Sequence, residues 1–272
     1  MAMVINTNIA AENAVRLLDR SQKEMSTSME RLTSGLRINK TADDAAGKAV
    51  VMSMTSQVRG TTMAIRNAND GISLVQTVDG AAEETVNMLY RVRELAVQAS
   101  NATYSSAQRS QMNLEVSQLR IEMNRIASTT KFNGVKLMAS SKTVSIQAGW
   151  ETASQNTVKI SLKTMNASAL GVTGTIQTAA SALGVMSQVD AALGSIAKTR
   201  AKYGAVQNRL DYTVSNLQNV NENIMAARSR IEDANFATES ANLARTQILQ
   251  QAGMSMLSQA NQSQQNVLSL LR

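Results

Sequence analysis

The sequence contains no cysteine, no histidine and no proline among its 272 residues. Without cysteine the chain has no disulfide framework and no thiolate nucleophile. Without histidine it lacks the most common general base near neutral pH, and with neither residue it lacks the usual zinc ligands. These absences argue against most classes of enzyme. We therefore predict that the chain is not an enzyme and holds no catalytic residue, no metal and no cofactor.

Aromatic residues are also scarce, at 3% of a chain that is 43% hydrophobic. A compact globule usually buries much of its area with large aromatic rings. Here the apolar side chains are mainly Ala, Val, Leu and Ile, together with 16 Met. Such side chains suit narrow seams between helices, and the lack of proline removes the strongest helix breaker. The composition therefore favours long packed helices over a thick core.

The net charge of +7 is not concentrated on any segment. Basic residues are spread from Arg16 to Arg272, so the sequence does not predict a nucleic-acid surface. No apolar run reaches the roughly 18 residues that a membrane span requires. The first 16 residues lack a basic start and include Glu12, which is not typical of a cleaved secretory signal. We predict no membrane insertion, and we leave open export without a cleaved signal.

The N-terminal segment has a heptad repeat of apolar residues. The repeat predicts a coiled-coil seam with a boundary near residue 42, after which Asp43 and Asp44 would begin the next helix. The polar positions Asn8 and Gln22 are of the kind that fixes register. One line of the seam consists of Val4, Ala11, Leu18, Met25 and Leu32, and the other of Asn8, Val15, Gln22, Met29 and Leu36.

Three further heptad stretches predict helices packed in a bundle. The longest, from Val189 to Ile231, would be about 63 Å long as a helix, which exceeds an ordinary globule of this size. Between residues 141 and 176 the period changes to two, which predicts a small β-hairpin region. The stretches are Val75, Val78, Ala82, Leu89, Val92, Ala96 and Ala99; Met112, Val116, Leu119, Met123 and Ile126; and Val189, Leu193, Ile196, Tyr203, Leu210, Val214, Leu217, Ile224 and Ile231.

The C-terminal segment has two displaced apolar lines. A helix with apolar residues on two faces needs more than one partner surface. The N-terminal seam can cover one face, and we expect a second copy of the chain to cover the other. The first line holds Leu249, Met256, Ala260, Val267 and Leu270, and the second holds Leu243, Met254, Leu257, Leu268 and Leu271.

Four stretches of the sequence closely resemble bacterial flagellins. The N-terminal end of that family resembles residues 1–50, MAMVINTNIAAENAVRLLDRSQKEMSTSMERLTSGLRINKTADDAAGKAV. The C-terminal end resembles residues 230–272, RIEDANFATESANLARTQILQQAGMSMLSQANQSQQNVLSLLR. Between them, the family core resembles RVRELAVQASN at 91–101 and KFNGVKLM at 131–138. The chain is thus identified by resemblance as a short flagellin that lacks large outer domains.

The resemblance implies a mainly α fold: a long helical coiled-coil rod with a small β-hairpin region and paired N- and C-terminal helices. It also implies five segments. Residues 1–42 and 235–272 would form the inner coiled-coil domain. Residues 43–140 would form the N-terminal part of the rod, residues 141–178 its hairpin region, and residues 179–234 its C-terminal long helix.

As a flagellin, the chain would be a structural subunit that assembles with itself into the flagellar filament used for motility. The resemblance implies unfolded export by the flagellar type III apparatus, with an export chaperone, and a secreted, extracellular location. Hook-associated and cap proteins would be further partners. The assembly seams would be formed by Val4, Ala11, Leu18, Met25 and Leu32 together with Leu249, Met256, Val267, Leu270, Leu257, Leu268 and Leu271.

The resemblance also implies recognition by a host Toll-like receptor. Flagellins that this receptor recognises carry an arginine before a VREL motif and a glutamate on the following helix. The matching residues are Arg91, Leu95 and Glu115, and the alternative is that the two charged residues are ordinary rod-surface or subunit-contact charges. For the whole chain, the alternatives are a hook–filament junction protein, a flagellin with an inserted metalloprotease domain, which would need histidines, and a helical adhesin.

Overall fold

The structure, a computed structural model, describes the backbone of residues 8–270 and the side chains of residues 8–263. It is mainly helical, with paired terminal helices and two small antiparallel strand pairs, which confirms the predicted fold class. The helices are α1 (Ile9–Ser34), α2 (Ala45–Ser100), α3 (Ser106–Thr129), α4 (Ala179–Glu232) and α5 (Phe236–Leu270). The strands are β1 (Lys131–Phe132), β2 (Val135–Lys136), β3 (Lys142–Gln147) and β4 (Thr157–Leu162).

Side-chain caps mark where helices begin. The Asn8 side chain accepts a hydrogen bond from the backbone N–H of Ala11 at 3.0 Å, at the start of α1. Ser105 and Gln108 form a reciprocal capping box at the start of α3. At the end of α1, Gly35 has a φ of 72°, which a glycine adopts without steric cost. Since no proline interrupts it, α2 continues for 56 residues, about 84 Å.

The predicted hairpin is formed by β3 and β4, which pair in antiparallel register from Lys142↔Leu162 to Gln147↔Thr157. The second strand pair, β1 with β2, was not predicted. Its two-residue turn is Asn133-Gly134, with φ values of 47° and 77°. Two positive φ values are characteristic of the type I′ turn, which suits Asn-Gly. The Asn-Gly pair is the sequence signal for this hairpin.

The residues form two compact units: unit 1, up to Ser56 and from Asn223 onward, and unit 2, Gln57–Glu222. The units divide inside α2 and α4, whereas the five segments expected from the sequence divide near loops. Those segment boundaries remain a prediction.

Unit 2 has an apolar core built largely from the predicted heptad lines. On α2 the whole line from Val75 to Ala99 is buried. On α4 the buried line includes Val189, Ile196, Tyr203 and Leu210. Side chains of α3 and of the hairpin region complete the core, including Met123, Met138, Ile160 and Leu162. The apolar spacing therefore identified the helix faces that pack inside this unit.

Unit 1 contains a short junction where the chain leaves α1 and α4. The backbone N–H of Arg37 donates to the carbonyl of Glu232 at 2.7 Å, and that of Ala234 donates to Gly35 at 2.9 Å. Ile38 is buried beside this junction. The Lys48 ammonium lies 3.4 Å from the Glu232 carboxylate, which adds an ion pair.

Among the helices that the structure describes, none is long and apolar enough to cross a membrane.

Candidate functional site on the paired terminal helices

The most buried side chains on the face of α1 that packs on α5 are small and polar. The Ser21 hydroxyl is buried and donates to the carbonyl of Thr246 at 3.1 Å. Ser28 and Thr246 are buried as well. Because serine and threonine are short, their positions let the two helix backbones approach. Because the Ser21 hydrogen bond crosses the helix pair, it favours one register of the contact.

Both polar positions predicted to fix register make hydrogen bonds across the helix pair. The Asn8 amide donates to the carbonyl of Ala260 at 3.3 Å. The Gln22 amide oxygen accepts from Gln250 at 2.6 Å. These bonds link residues more than 200 positions apart in the sequence, so they hold one relative register of α1 and α5.

An ion pair lies within the same contact. Arg31 Nη1 is 3.1 Å from the Glu239 carboxylate, and the two side chains are 29% and 9% exposed. A buried carboxylate is costly unless a cation and hydrogen bonds compensate it. Arg31 supplies that compensation, so the pair favours the contact over alternative pairings of the two helices.

Gly253 lies against a side chain of α1 in the α1–α5 contact. A Cβ at this position would lie 2.9 Å from Cδ2 of Leu18 and 3.1 Å from its Cγ. The glycine therefore makes room for the Leu18 side chain. Leu257 and Ala260 continue the same face of α5 and are half-buried.

Several other large apolar side chains of this helix pair point to solvent. Leu17 on α1 is 67% exposed, and Met256 on α5 is 66% exposed. Monomeric proteins rarely expose extended apolar surface unless it is an interaction site. The outward apolar residues are Ile9, Val15, Leu17 and Met29 on α1, and Phe236, Ile248, Leu249, Met254 and Met256 on α5.

The predicted seam residues divide between these two environments. Ala11, Leu18, Met25 and Leu32 are half-buried along the inward face of α1, as is Leu257 on α5, whereas Leu249 and Met256 are exposed. Val4 and Leu271 lie outside the described residues. The side chains of Val267, Leu268 and Leu270 also lie outside the described part of the chain.

In the second predicted line of α1, Asn8 and Gln22 hydrogen-bond to α5, but the apolar members Val15 and Met29 do not pack on it. Val15 and Met29 are exposed, and the inward positions are one residue earlier, at Ala14, Ser21 and Ser28. Apolar spacing misled the prediction because the close inner contact uses short side chains. The seven-residue spacing of Ser21 with Ser28, and of Thr246 with Gly253 and Ala260, is a signal that could have revealed it.

The residues matched to receptor recognition lie in unit 2. Arg91 Nε donates to the Glu115 carboxylate at 2.8 Å, and both side chains are exposed. The hydrogen bonds that the Arg91 guanidinium donates to Glu115, and next to Glu94, raise its pKa. Leu95 must be corrected: it is 3% exposed and belongs to the core. It packs with the apolar core of unit 2 and is not part of the free surface.

The adjacent carboxylates Asp43 and Asp44 have structural partners. Asp43 Oδ2 accepts from the backbone N–H groups of Lys40 and Asn39, and the Lys40 bond is the main cause that lowers the Asp43 pKa. Asp44 Oδ1 accepts from the N–H of Gly47 at 2.8 Å. Among the described residues, no group of three or more Asp or Glu side chains could hold a metal ion.

Comparisons with family models and with known proteins match this chain to bacterial flagellins. The family model for the bacterial flagellin N-terminal helical region matches residues 5–143, and the model for the C-terminal helical region matches residues 186–271. The chain is 42% identical to a flagellin of Halalkalibacterium halodurans, covering 99% of this chain and 100% of the relative. It is 40% identical to the flagellar filament 33 kDa core protein of Treponema phagedenis, with the same coverage.

One solved structure is also similar. The crystal structure of Bacillus cereus flagellin is 31% identical, with a TM-score of 0.49, and the match covers 56% of this chain and 88% of that one. The family models and the full-length relatives are sufficient to identify the family, whose members are structural proteins and not enzymes. This chain belongs to the bacterial flagellin family.

Proposed function

We propose that this flagellin assembles with itself into a flagellar filament through the outward apolar faces of α1 and α5. The observation that carries the proposal is that many large apolar side chains of these two helices are exposed to solvent. The most buried side chains of the contact within the chain are small or polar, whereas large apolar side chains such as Leu17 and Met256 face solvent.

The occupant of these faces is a second copy of the chain. Both helices carry outward apolar residues, so equivalent faces on two copies can bury each other. Burying one leucine side chain stabilises a contact by about 1.5–3 kcal/mol, and each copy offers several such residues. The relative from Treponema phagedenis supports this choice, since it is named a flagellar filament core protein.

Substitution of the outward residues tests the proposal. We expect Leu17→Gln and Ile248→Gln each to raise the critical concentration for polymerisation more than about tenfold, because a buried leucine or isoleucine would be lost. Leu114→Gln is the matched control, since Leu114 is 66% exposed but lies on α3. Polymer yield is measured by sedimentation and electron microscopy after salting out. Equal effects at all three positions would show that the terminal helices are not the assembly faces.

Export and the remaining partners are further parts of the proposal. We infer unfolded export by the flagellar type III apparatus, with an export chaperone, to an extracellular filament that meets hook-associated and cap proteins. The absence of cysteine and proline supports this route, because neither disulfides nor slow prolyl isomers would delay threading and refolding. A secretion assay in a strain that lacks a functional export apparatus tests it, and undiminished extracellular protein would contradict it.

Receptor recognition is a second candidate function, and the juxtaposition of Arg91 with Glu115 favours it. The exposed guanidinium and carboxylate lie on neighbouring helices, where a partner could contact both. We expect Arg91→Ala and Glu115→Ala each to weaken receptor binding by about fivefold or more.

Arg93→Ala is the matched control for that test. Arg93 lies on the same helix with similar exposure and pairs with Asp190 at 2.8 Å, so its loss removes an equivalent surface ion pair elsewhere. The assay is dose-dependent receptor signalling by monomer, with circular dichroism to verify folding. Unchanged responses for both test variants would remove Arg91 and Glu115 from the proposed surface.

A further inference from the structure

Methionine is distributed unevenly between the two units. Among the described side chains, Met123, Met138 and Met165 are fully buried, and all three belong to unit 2. The methionines of unit 2 also include Met63, which is exposed. In unit 1 the exposed methionines are Met29, Met52, Met225, Met254 and Met256.

Three of these thioethers lie on the outward apolar faces defined above. Met29 is on α1, while Met254 and Met256 are on α5, with 52%, 63% and 66% exposure. Met256 follows Leu249 by seven residues, so the two share one face of α5. The outward apolar faces therefore combine aliphatic side chains with accessible, oxidisable sulfur.

We propose that Met29, Met254 and Met256 form an oxidation-sensitive modification site, at which hydroperoxides block self-assembly of the monomer. The inference rests on the proposed assembly function and adds a regulation to it. The chain has no cysteine, so no thiol in the same molecule competes for the oxidant.

The chemistry is a two-electron oxygen transfer. A sulfur lone pair attacks one peroxide oxygen, an S–O bond forms and the O–O bond breaks. The released oxygen leaves as water after it takes up the proton of the transferred hydroxyl. Methionine is oxidised to the sulfoxide and hydrogen peroxide is reduced to water. The product is reversible by methionine sulfoxide reductases, which use thiol reductants.

Oxidation should affect the monomer and the polymer differently. In the monomer the three sulfoxides would remain hydrated, because their side chains are already exposed. In the polymer the same oxygens would be buried among residues such as Leu17 and Leu249, which offer no hydrogen-bond donor. A buried polar group without a partner opposes association, so we expect the critical concentration to rise about tenfold or more.

The experiment uses the purified full-length chain treated with graded hydrogen peroxide. Mass spectrometry of peptides gives the sulfoxide fraction at each methionine, circular dichroism verifies helicity, and sedimentation gives polymer yield. We expect Met29, Met254 and Met256 to be oxidised well before Met123, Met138 and Met165, with polymer yield falling in parallel and helicity unchanged.

Two comparisons assign the effect to the three residues. In the M29L/M254L/M256L variant, the ratio of treated to untreated polymer yield should stay near one. In the M63L control, it should fall as in the natural sequence. If the triple variant does not polymerise, the oxidised natural chain is instead reduced with sulfoxide reductase. Its polymer yield should then recover.

Three results would overturn the inference. The first is full oxidation of the three residues with unchanged polymer yield. The second is an equal loss in the triple variant, or no recovery after reduction. The third is failure of the untreated chain to polymerise, which would overturn the proposed assembly function itself and is seen before any peroxide is added.

Discussion

The core of unit 2 and the α1–α5 contact of unit 1 use opposite kinds of side chain. In unit 2, Leu89, Val92 and Ile196 are essentially inaccessible and pack with many other apolar residues. In the α1–α5 contact the most buried positions are Ser21, Ser28, Glu239 and Thr246. Both regions consist of long helices, so secondary structure does not explain the difference.

The difference indicates where each region obtains its stability. Apolar burial drives folding in proportion to the area removed from water, and unit 2 obtains it within one chain. The α1–α5 contact has hydrogen bonds, an ion pair and half-buried leucines, but many of the large apolar residues of the two helices face solvent. Unit 2 should therefore be stable as a monomer, whereas the helix pair should gain most of its stability from other copies.

The largest expected effect is in the core of unit 2. We expect Leu89→Ala to reduce the free energy of unfolding by about 2–5 kcal/mol, because a fully buried side chain leaves a cavity. The matched control is Leu114→Ala, because Leu114 lies on the exposed side of α3, and it should change the free energy of unfolding by less than about 0.5 kcal/mol. Chemical denaturation of the monomer measures both, and similar losses would contradict the assigned core.

The ion pair of the α1–α5 contact gives the next effect. Glu239→Ala leaves Arg31 without its carboxylate partner, so we expect α1 and α5 to open more readily by about 1–3 kcal/mol. The double variant Arg31→Met with Glu239→Ala should recover part of that loss. Hydrogen exchange of the α1 amides gives the opening free energies. A double variant that is as unstable as the sum of the single changes would argue against a direct pair.

Two helix glycines should respond in opposite directions. A Cβ at Gly194 meets no atom within 4 Å, so we expect Gly194→Ala to stabilise α4 by about 0.5–1 kcal/mol. At Gly60 a Cβ would lie 2.7 Å from the Cβ of Trp150, so Gly60→Ala should destabilise unit 2. Thermal unfolding of the two variants measures the contrast, and stabilisation at both positions would contradict the close packing of Trp150.

Alkaline pH should produce the smallest effect. Burial raises the pKa of the Tyr203 hydroxyl, which also accepts a bond from the N–H of Lys163 at 3.4 Å. Because the pKa is higher in the folded state than in the unfolded state, the stabilising contribution of Tyr203 is complete below the unfolded pKa of about 10. This contribution is lost as pH rises above that value. We expect Tyr203→Phe to flatten this decline in the free energy of unfolding. The same slope in both proteins would exclude Tyr203 as its source.

The parts of the fold that depend on apolar periodicity were predictable from the sequence. The lines from Val75 to Ala99 and from Val189 to Leu210 fell on buried helix faces because aliphatic burial dominates unit 2. The hairpin was predictable from the alternation around Ile146 and Ile160, which pack toward the helices. The β1–β2 pair was missed because it has only two residues per strand, too few for a period to show.

The candidate site was predictable only in part. Apolar spacing located the terminal helices and their unmatched apolar faces, but it could not indicate that Ser21 and Thr246, and not Val15 and Leu249, would face each other. That choice depends on how closely two backbones approach, which Gly253 and the hydroxyl residues decide. Leu95 was misplaced for a related reason, since a motif match does not distinguish a surface leucine from a core one.

Hydrogen exchange of monomer and polymer tests the central claim most directly. The account predicts that amides of α1 and α5 around Leu17 and Ile248 become markedly more protected when the chain polymerises. Amides around Leu89 and Ile196 in the core of unit 2 should already be protected in the monomer and change little. Equal protection of α1 and α5 in both states would contradict the claim that their apolar faces are buried by other copies.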